Sequence, residues 1–266
     1  MGLLLCSYPI ISSMIERRFQ EETVATYTQE LNQISTKEAE RILQEAKEYN
    51  NVLSQTKGAV IGNLNEHILS DESYNEQLNV SGNGVMGAIE IPKINVNLPI
   101  WHGTEEEALS NGAGHFRDSS LPVGGMNSRC ILTSHRGLPS AKLFTRLDEL
   151  EMGDLFYLQV CGKTLAYQIY EIEVIEPDEL EKLRILPEKD IVTLVTCTPY
   201  GLNTHRLVVS GERVSFEQKS YDAIEPKMLS LRELVFLCIP GIFVFTVLFM
   251  YMREKMKERC RTHAKI

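Results

Sequence analysis

The sequence predicts a mainly β domain, a closed barrel or a sandwich, led in by helices and followed by a membrane-spanning helix. Three observations carry this expectation. Short β-rich runs separated by turn residues recur from Val85 to Val214. Residues 16–53 are polar, rich in helix formers and free of Pro and Gly. Leu234 to Met252 carries no charged side chain and has about the length a bilayer core requires, roughly 20 residues.

The expected organisation runs as seven segments. Residues 1–15 are apolar but short for a span and lack a basic flank before them, so they read as a partial signal or membrane helix. Cys6 follows Leu5, a poor lipidation context. Residues 16–53 form a helical extension, broken and restarted near Ser35-Thr36-Lys37-Glu38, where a serine or threonine can cap the second helix. Residues 54–84 lack a clear period and contain Gly58, Gly62, Gly82 and Gly84, which reads as a long loop.

Residues 85–216 hold the β domain. Strands are expected at Gly87–Ile91, Val96–Ile100, Cys130–Ser134, Leu155–Val160, Thr164–Ile175, Ile191–Thr196 and Arg206–Val214. Cys161-Gly162-Lys163 reads as a hairpin turn. The apolar face shifts between Ile169 and Ile172, which predicts a bulge. Short helices are expected at Glu105–Leu109 and Lys142–Leu150. Residues 217–233 read as a linker, 234–252 as the transmembrane helix and 253–266 as a tail. That tail carries six basic side chains against Glu254 and Glu258, so the positive-inside rule makes it cytoplasmic and the β domain extracellular.

The net charge of −9, with nothing that resembles a phosphate-binding footprint, argues against a nucleic-acid partner. No Cys-x-x-Cys or His-x-x-x-His spacing suggests a metal site. Three cysteines, Cys130, Cys161 and Cys197, fall in the exposed region, and an odd number leaves at least one unpaired. A Cys130–Cys161 bridge would leave Cys197 free, although both also read as small buried hydrophobes.

Cys197 ends the β-branched run Thr193-Leu194-Val195-Thr196, and Arg206 opens the next strand. A thiol beside a fixed cation is a plausible nucleophile, because the cation favours the thiolate and can stabilise an oxyanion. The chemistry then needs a proton-transfer partner, and His67, His102, His115, His135 and His205 are candidates. His135 is best placed, at the end of Cys130-Ile131-Leu132-Thr133-Ser134. His115 sits in a Gly-rich loop. His205 adjoins Arg206, but strand alternation points it the other way. A structural role for all five, with Cys197 a buried thiol, is the plain alternative.

Thr193-Leu194-Val195-Thr196-Cys197 resembles the hallmark of the sortases, the cysteine transpeptidases of Gram-positive surfaces, with His135 in Thr133-Ser134-His135-Arg136-Gly137 and Arg206 in the family's order. The resemblance runs from Met86-Gly87-Ala88-Ile89-Glu90-Ile91 through Gly112-Ala113-Gly114-His115 to about Val214. Cys197-Thr198-Pro199-Tyr200, Asn203-Thr204-His205-Arg206-Leu207 and Leu138-Pro139-Ser140-Ala141-Lys142-Leu143-Phe144 look like class C, the pilus-building subgroup.

The resemblance implies a barrel of roughly eight strands and a cofactor-free transpeptidase with His135, Cys197 and Arg206 as its catalytic residues. The substrate would be a pilin with a Leu-Pro-X-Thr-Gly-like sorting signal, and the acceptor a lysine of another pilin. A housekeeping sortase that attaches proteins to cell-wall peptide, and a non-catalytic pilin-binding scaffold, are the competing readings. Many class C enzymes cover the cysteine with a lid bearing an Asp-Pro-aromatic motif. Residues 55–84 hold that position but contain no proline. The expectation is that Asp71 or Tyr74 shields Cys197 instead.

Overall fold

A computed structural model of the chain describes residues 2–55, 71–138, 141–226 and 231–263. The chain divides into two compact units. One is Ile10–Pro226, and the other joins Met1–Pro9 with Lys227–Ile266.

In order, the elements are α1 (Gly2–Leu31), α2 (Thr36–Gln55), α3 (Asp71–Glu76), β1 (Val85–Ile91), β2 (Val96–His102), α4 (Glu106–Asn111), β3 (Ala113–His115), β4 (Ser128–Thr133), β5 (Leu155–Val160), β6 (Lys163–Ile175), β7 (Asp190–Thr198), β8 (His205–Val214), α5 (Gln218–Asp222) and α6 (Leu231–His263). Eight strands close into a barrel in the order β1-β2-β3-β4-β7-β8-β6-β5. The β2–β3 and β4–β7 pairs are parallel, and the remaining neighbours are antiparallel. The mainly β reading is therefore met by the closed form.

Local chemistry accounts for the elements. The helical extension breaks where expected: Ser35 Oγ accepts the Glu38 N–H at 3.1 Å, a serine cap three residues before a glutamate. Upstream, α1 continues through residue 15 without interruption, so the apolar start and the polar extension share one helix. Tyr27 of α1 ties β1 to the turn after β5: its hydroxyl donates to Met86 O at 3.2 Å and accepts from Cys161 N at 3.1 Å. Asn50 of α2 pairs both ways with the Leu121 backbone, at 3.1 and 2.7 Å.

The β5–β6 hairpin turns on Cys161-Gly162, with φ of 46° and 74° between the paired Val160 and Lys163. Two consecutive positive φ values are what a two-residue hairpin matched to strand twist requires. The predicted bulge in β6 lies between Ile169 and Glu171. Inside the barrel, Phe156 stacks on Tyr167 with centroids 5.6 Å apart.

The structure differs from expectation at three places. β3 was not anticipated. Three residues, one of them glycine, give no alternation to read, yet the strand bridges β2 to β4. The helix expected at Lys142–Leu150 reduces to a 3-10 turn at Leu147–Glu149. Leu143 adopts φ +41°, outside the helical region, and Phe144 N–H donates to His135 O at 3.2 Å. The segment is held against the loop after β4 rather than in a helix of its own. Within the span expected to be loop, Asp71–Glu76 forms α3, while 56–70 lie outside the described residues.

The expected transmembrane stretch falls within α6. Among the described residues, no helix is long and apolar enough to cross a membrane.

Candidate active site

Strand alternation creates two faces on β4 and β7. Cys130 and Leu132, with Val192 and Leu194, turn into the barrel core. Ile131 and Val195 turn the other way and, with Ile175, Leu183, Val208 and Phe116, form a second apolar cluster. This cluster floors a cavity of about 430 Å³. Residues two further along each strand share that face. His135 therefore follows Ile131 and Thr133, Cys197 follows Val195, and Arg206 precedes Val208. All three line the cavity.

Register brings them into one row. β4 and β7 run parallel and pair Thr133 with Val195. The same offset of 62 residues continues beyond β4: Thr196 Oγ1 donates to Ser134 O at 2.8 Å, and Arg136 Nη1 donates to Thr198 Oγ1 at 3.0 Å. These two bonds flank His135 and Cys197, which hold the positions between them. On the other side of β7, Cys197 is paired directly with Arg206 of β8. Parallel strands thus set the histidine beside the cysteine, and an antiparallel pair sets the arginine opposite it.

Each side chain is held. His135 Nε2 lies 3.1 Å from both Oε1 and Oε2 of Glu106 on α4. The Ser110 hydroxyl, with the His135 imidazole, keeps the Glu106 carboxyl below the usual carboxylate value. Arg206 Nη1 donates to Asn203 O and His205 O at 3.3 and 3.1 Å, which ties the guanidinium to its own loop. Cys197 is half-buried and unpaired. Arg136 is buried, bridges Asp148 and Thr198, and lies under the Tyr200 ring with its Cζ 5.9 Å from the centroid. Gly137, at φ +80°, leaves the space that this ring fills: a Cβ there would sit 3.0 Å from it.

The other histidines have other work. His115 is fully buried, with Nδ1 2.8 Å from the Tyr74 hydroxyl and Nε2 2.9 Å from Ser120 O. Burial pushes it down to about 4, so it stays neutral. His102 faces the carbonyl oxygens of Gly84 and Gln77. His205 pairs with Glu176 at 3.1 Å, on the face opposite Arg206. His67 lies outside the described residues.

Tyr74 is not a shield over Cys197. It is buried between His102 and His115 and does not line the cavity. Its hydroxyl finds better partners in His115 and the Gly103 N–H. The Asp71 side chain lies outside what the structure describes. Cys130 and Cys161 are both free thiols, and no bridge joins them. Burial raises both, Cys161 to about 11, which makes them inert beside Cys197. Among the described residues no group of three or more His, Cys, Asp or Glu could hold a metal ion.

Sequence reasoning did not single out Glu106 or Arg136 as part of the site. Glu106 gave no signal, since its partner lies 29 residues away on another element. Arg136 was visible only as a neighbour of His135.

Residues 89–214 match the Sortase domain family. Among solved structures, sortase C1 of Streptococcus agalactiae is 40% identical with a TM-score of 0.70; the match covers 74% of this chain and 100% of that one. A sortase C of Clostridium perfringens, solved with a C-terminal cell wall sorting motif, is 40% identical with a TM-score of 0.63, covering 73% and 99%. Among curated proteins, sortase D of Bacillus subtilis (strain 168) is 34% identical over 132 residues, which is 48% of this chain and 64% of that protein. The chain thus matches under two thirds of the length of that curated relative.

Proposed function

Because the chain belongs to the sortase family, we propose that it is a cysteine transpeptidase that joins pilin subunits into a covalent polymer. The observation that carries this reading is the row His135–Cys197–Arg206 at the rim of an apolar cavity. The likeness to class C structures at 40% identity supports the pilin assignment.

In this reading the cavity floor takes the apolar start of a Leu-Pro-X-Thr-Gly-like signal and presents the Thr carbonyl to Cys197. Attack by the thiolate forms a tetrahedral oxyanion that Arg206 stabilises. Collapse expels the Gly amine, which takes a proton from His135, and leaves a thioester on Cys197. A lysine amine of a second pilin then attacks, gives its proton to His135 and releases the thiolate. The thioester conserves the acyl energy, so no cofactor is required.

The apolar, uncharged stretch 234–252 would anchor the enzyme, with 253–266 cytoplasmic and the barrel outside the membrane. Resistance of the protein to carbonate extraction from membranes tests the anchor, and cleavage of the barrel by protease added to intact protoplasts tests its side. Transfer to cell-wall peptide instead of pilin lysine is the competing acceptor reaction. In cells whose only copy carries Cys197→Ala, the proposal expects pilin to remain monomeric on denaturing gels. Covalent pilin ladders in those cells would refute it. Ladders lost in that strain while other surface proteins stay attached to the wall would favour pilin over wall peptide.

A further inference from the structure

We propose that Glu106 is a positioning residue for His135: its carboxylate fixes the imidazole tautomer and leaves Nδ1 as the nitrogen that moves protons. The proposal rests on the transpeptidase reading above and assigns a residue that the triad does not include.

The geometry is specific. Both carboxylate oxygens of Glu106 stand 3.1 Å from Nε2 of His135. An ionised carboxylate can only accept, so Nε2 must carry its hydrogen in the neutral ring as well as in the imidazolium. The ring then resembles the orientation of a base by a third group that nucleophile–base pairs employ. Glu106 is itself held, since Ser110 Oγ, one turn later on α4, donates to its Oε1 at 3.0 Å. α4 is in turn tied to the catalytic strand, because Ser134 Oγ donates to Gly112 O at 2.6 Å. The residue preceding His135 therefore fixes the helix that carries the carboxylate.

The surrounding charges leave this role to Glu106. The Arg136 guanidinium is engaged by Asp148 and Thr198. Glu176 faces His205. Cys197 and Arg206 lie across the row from His135 on the cavity side. Glu105 and Glu107 flank Glu106 on its own element.

The proton path follows. The imidazolium gives its Nδ1 proton to the leaving Gly amine as the C–N bond breaks and the thioester carbonyl forms. Neutral Nδ1 then takes a proton from the attacking lysine amine as the new C–N bond forms and the C–S bond breaks. Nε2–H stays on Glu106 throughout, and the carboxylate favours the charged ring in both steps.

The test uses the whole chain with ¹⁵N-labelled histidine and a Leu-Pro-X-Thr-Gly peptide. The wild type should show His135 with Nε2 protonated in the neutral form, and Glu106→Ala, which leaves no acceptor there, should lose that preference. Glu106→Gln should lower kcat/KM by up to about fivefold, the worth of a solvent-exposed pair, with KM little changed. Glu107→Gln, next on the same helix but without the contact, should behave as wild type. An Nδ1–H tautomer in the wild type, or a Glu106→Gln kcat/KM equal to wild type, would overturn the proposal. A wild-type chain that formed no thioacyl adduct would instead overturn the transpeptidase reading, and the tautomer measurement would still decide the Glu106 contact.

Discussion

Thr198→Val isolates what aligns the thiol with the imidazole. Thr198 follows Cys197, and its Oγ1 accepts from Arg136 Nη1 at 3.0 Å. Valine keeps the shape and removes only the acceptor. The Arg136 side chain is 3% exposed, and its Nε has no partner among the described residues. A second orphaned donor on a buried guanidinium cannot be rehydrated cheaply, so the loss should cost about 1–3 kcal/mol. For a domain of this size that corresponds to a fall in Tm of about 2–12 °C.

The kinetic effect has the same origin. With the outer of the two flanking bonds gone, the strand ends are held in step on the inner side alone, by the Thr196–Ser134 bond and the Ser134 N–H donated to Val195 O at 3.2 Å. A shift of a fraction of an ångström between Cys197 and His135 should cost about tenfold in kcat, with KM unchanged because the cavity floor is untouched. Urea unfolding and steady-state transpeptidation of a sorting-signal peptide measure the two effects. A variant with wild-type midpoint and wild-type kcat would show that the Arg136–Thr198 bond aligns nothing.

Acid should weaken the fold through His115. Its folded value of about 4 lies below the unfolded value near 6.5, so the unfolded chain binds the proton more readily. The stabilisation is complete above about pH 7 and is lost as pH falls toward 4, by about 3 kcal/mol; denaturant midpoints across that range measure it. Gly211→Ala should destabilise by about 1–3 kcal/mol, because its Cβ would meet the Phe156 ring at 2.5 Å; thermal unfolding reads the loss. In the folded protein a maleimide should label Cys197 while Cys130 and Cys161 stay protected, and peptide mapping after brief exposure distinguishes them.

Much of the barrel was legible because its strands are short β-rich runs set off by turn residues. The apolar residues of β4 and β7 fall on both faces, and the period that turns Ile131 and Val195 away from the core carries His135 and Cys197 to the cavity side. The bulge in β6 and the turn at Cys161-Gly162 were readable because each interrupts a clean pattern. β3 was not, because its neighbours rather than its residues make it a strand. The segment after His135 looked helical by composition, yet Leu143 and Phe144 are bound to the loop they follow. Tyr74 looked like a shield by analogy with a lid, but a buried hydroxyl goes where its hydrogen bonds are, and His115 supplies one. What sequence could not contain is register. Only the 62-residue offset between parallel strands reveals that Arg136 braces Thr198 and that His135 and Cys197 are neighbours.

The central claim is that Cys197 is the nucleophile of an acyl transfer. Incubating the whole chain with a Leu-Pro-X-Thr-Gly peptide without an amine acceptor, then digesting and weighing the fragments, tests it most directly. The fragment bearing Cys197 should gain the mass of the peptide up to its Thr, hydroxylamine should remove it, and Cys197→Ala should never acquire it. An adduct on another residue, or peptide cleavage that persists in Cys197→Ala, would contradict it.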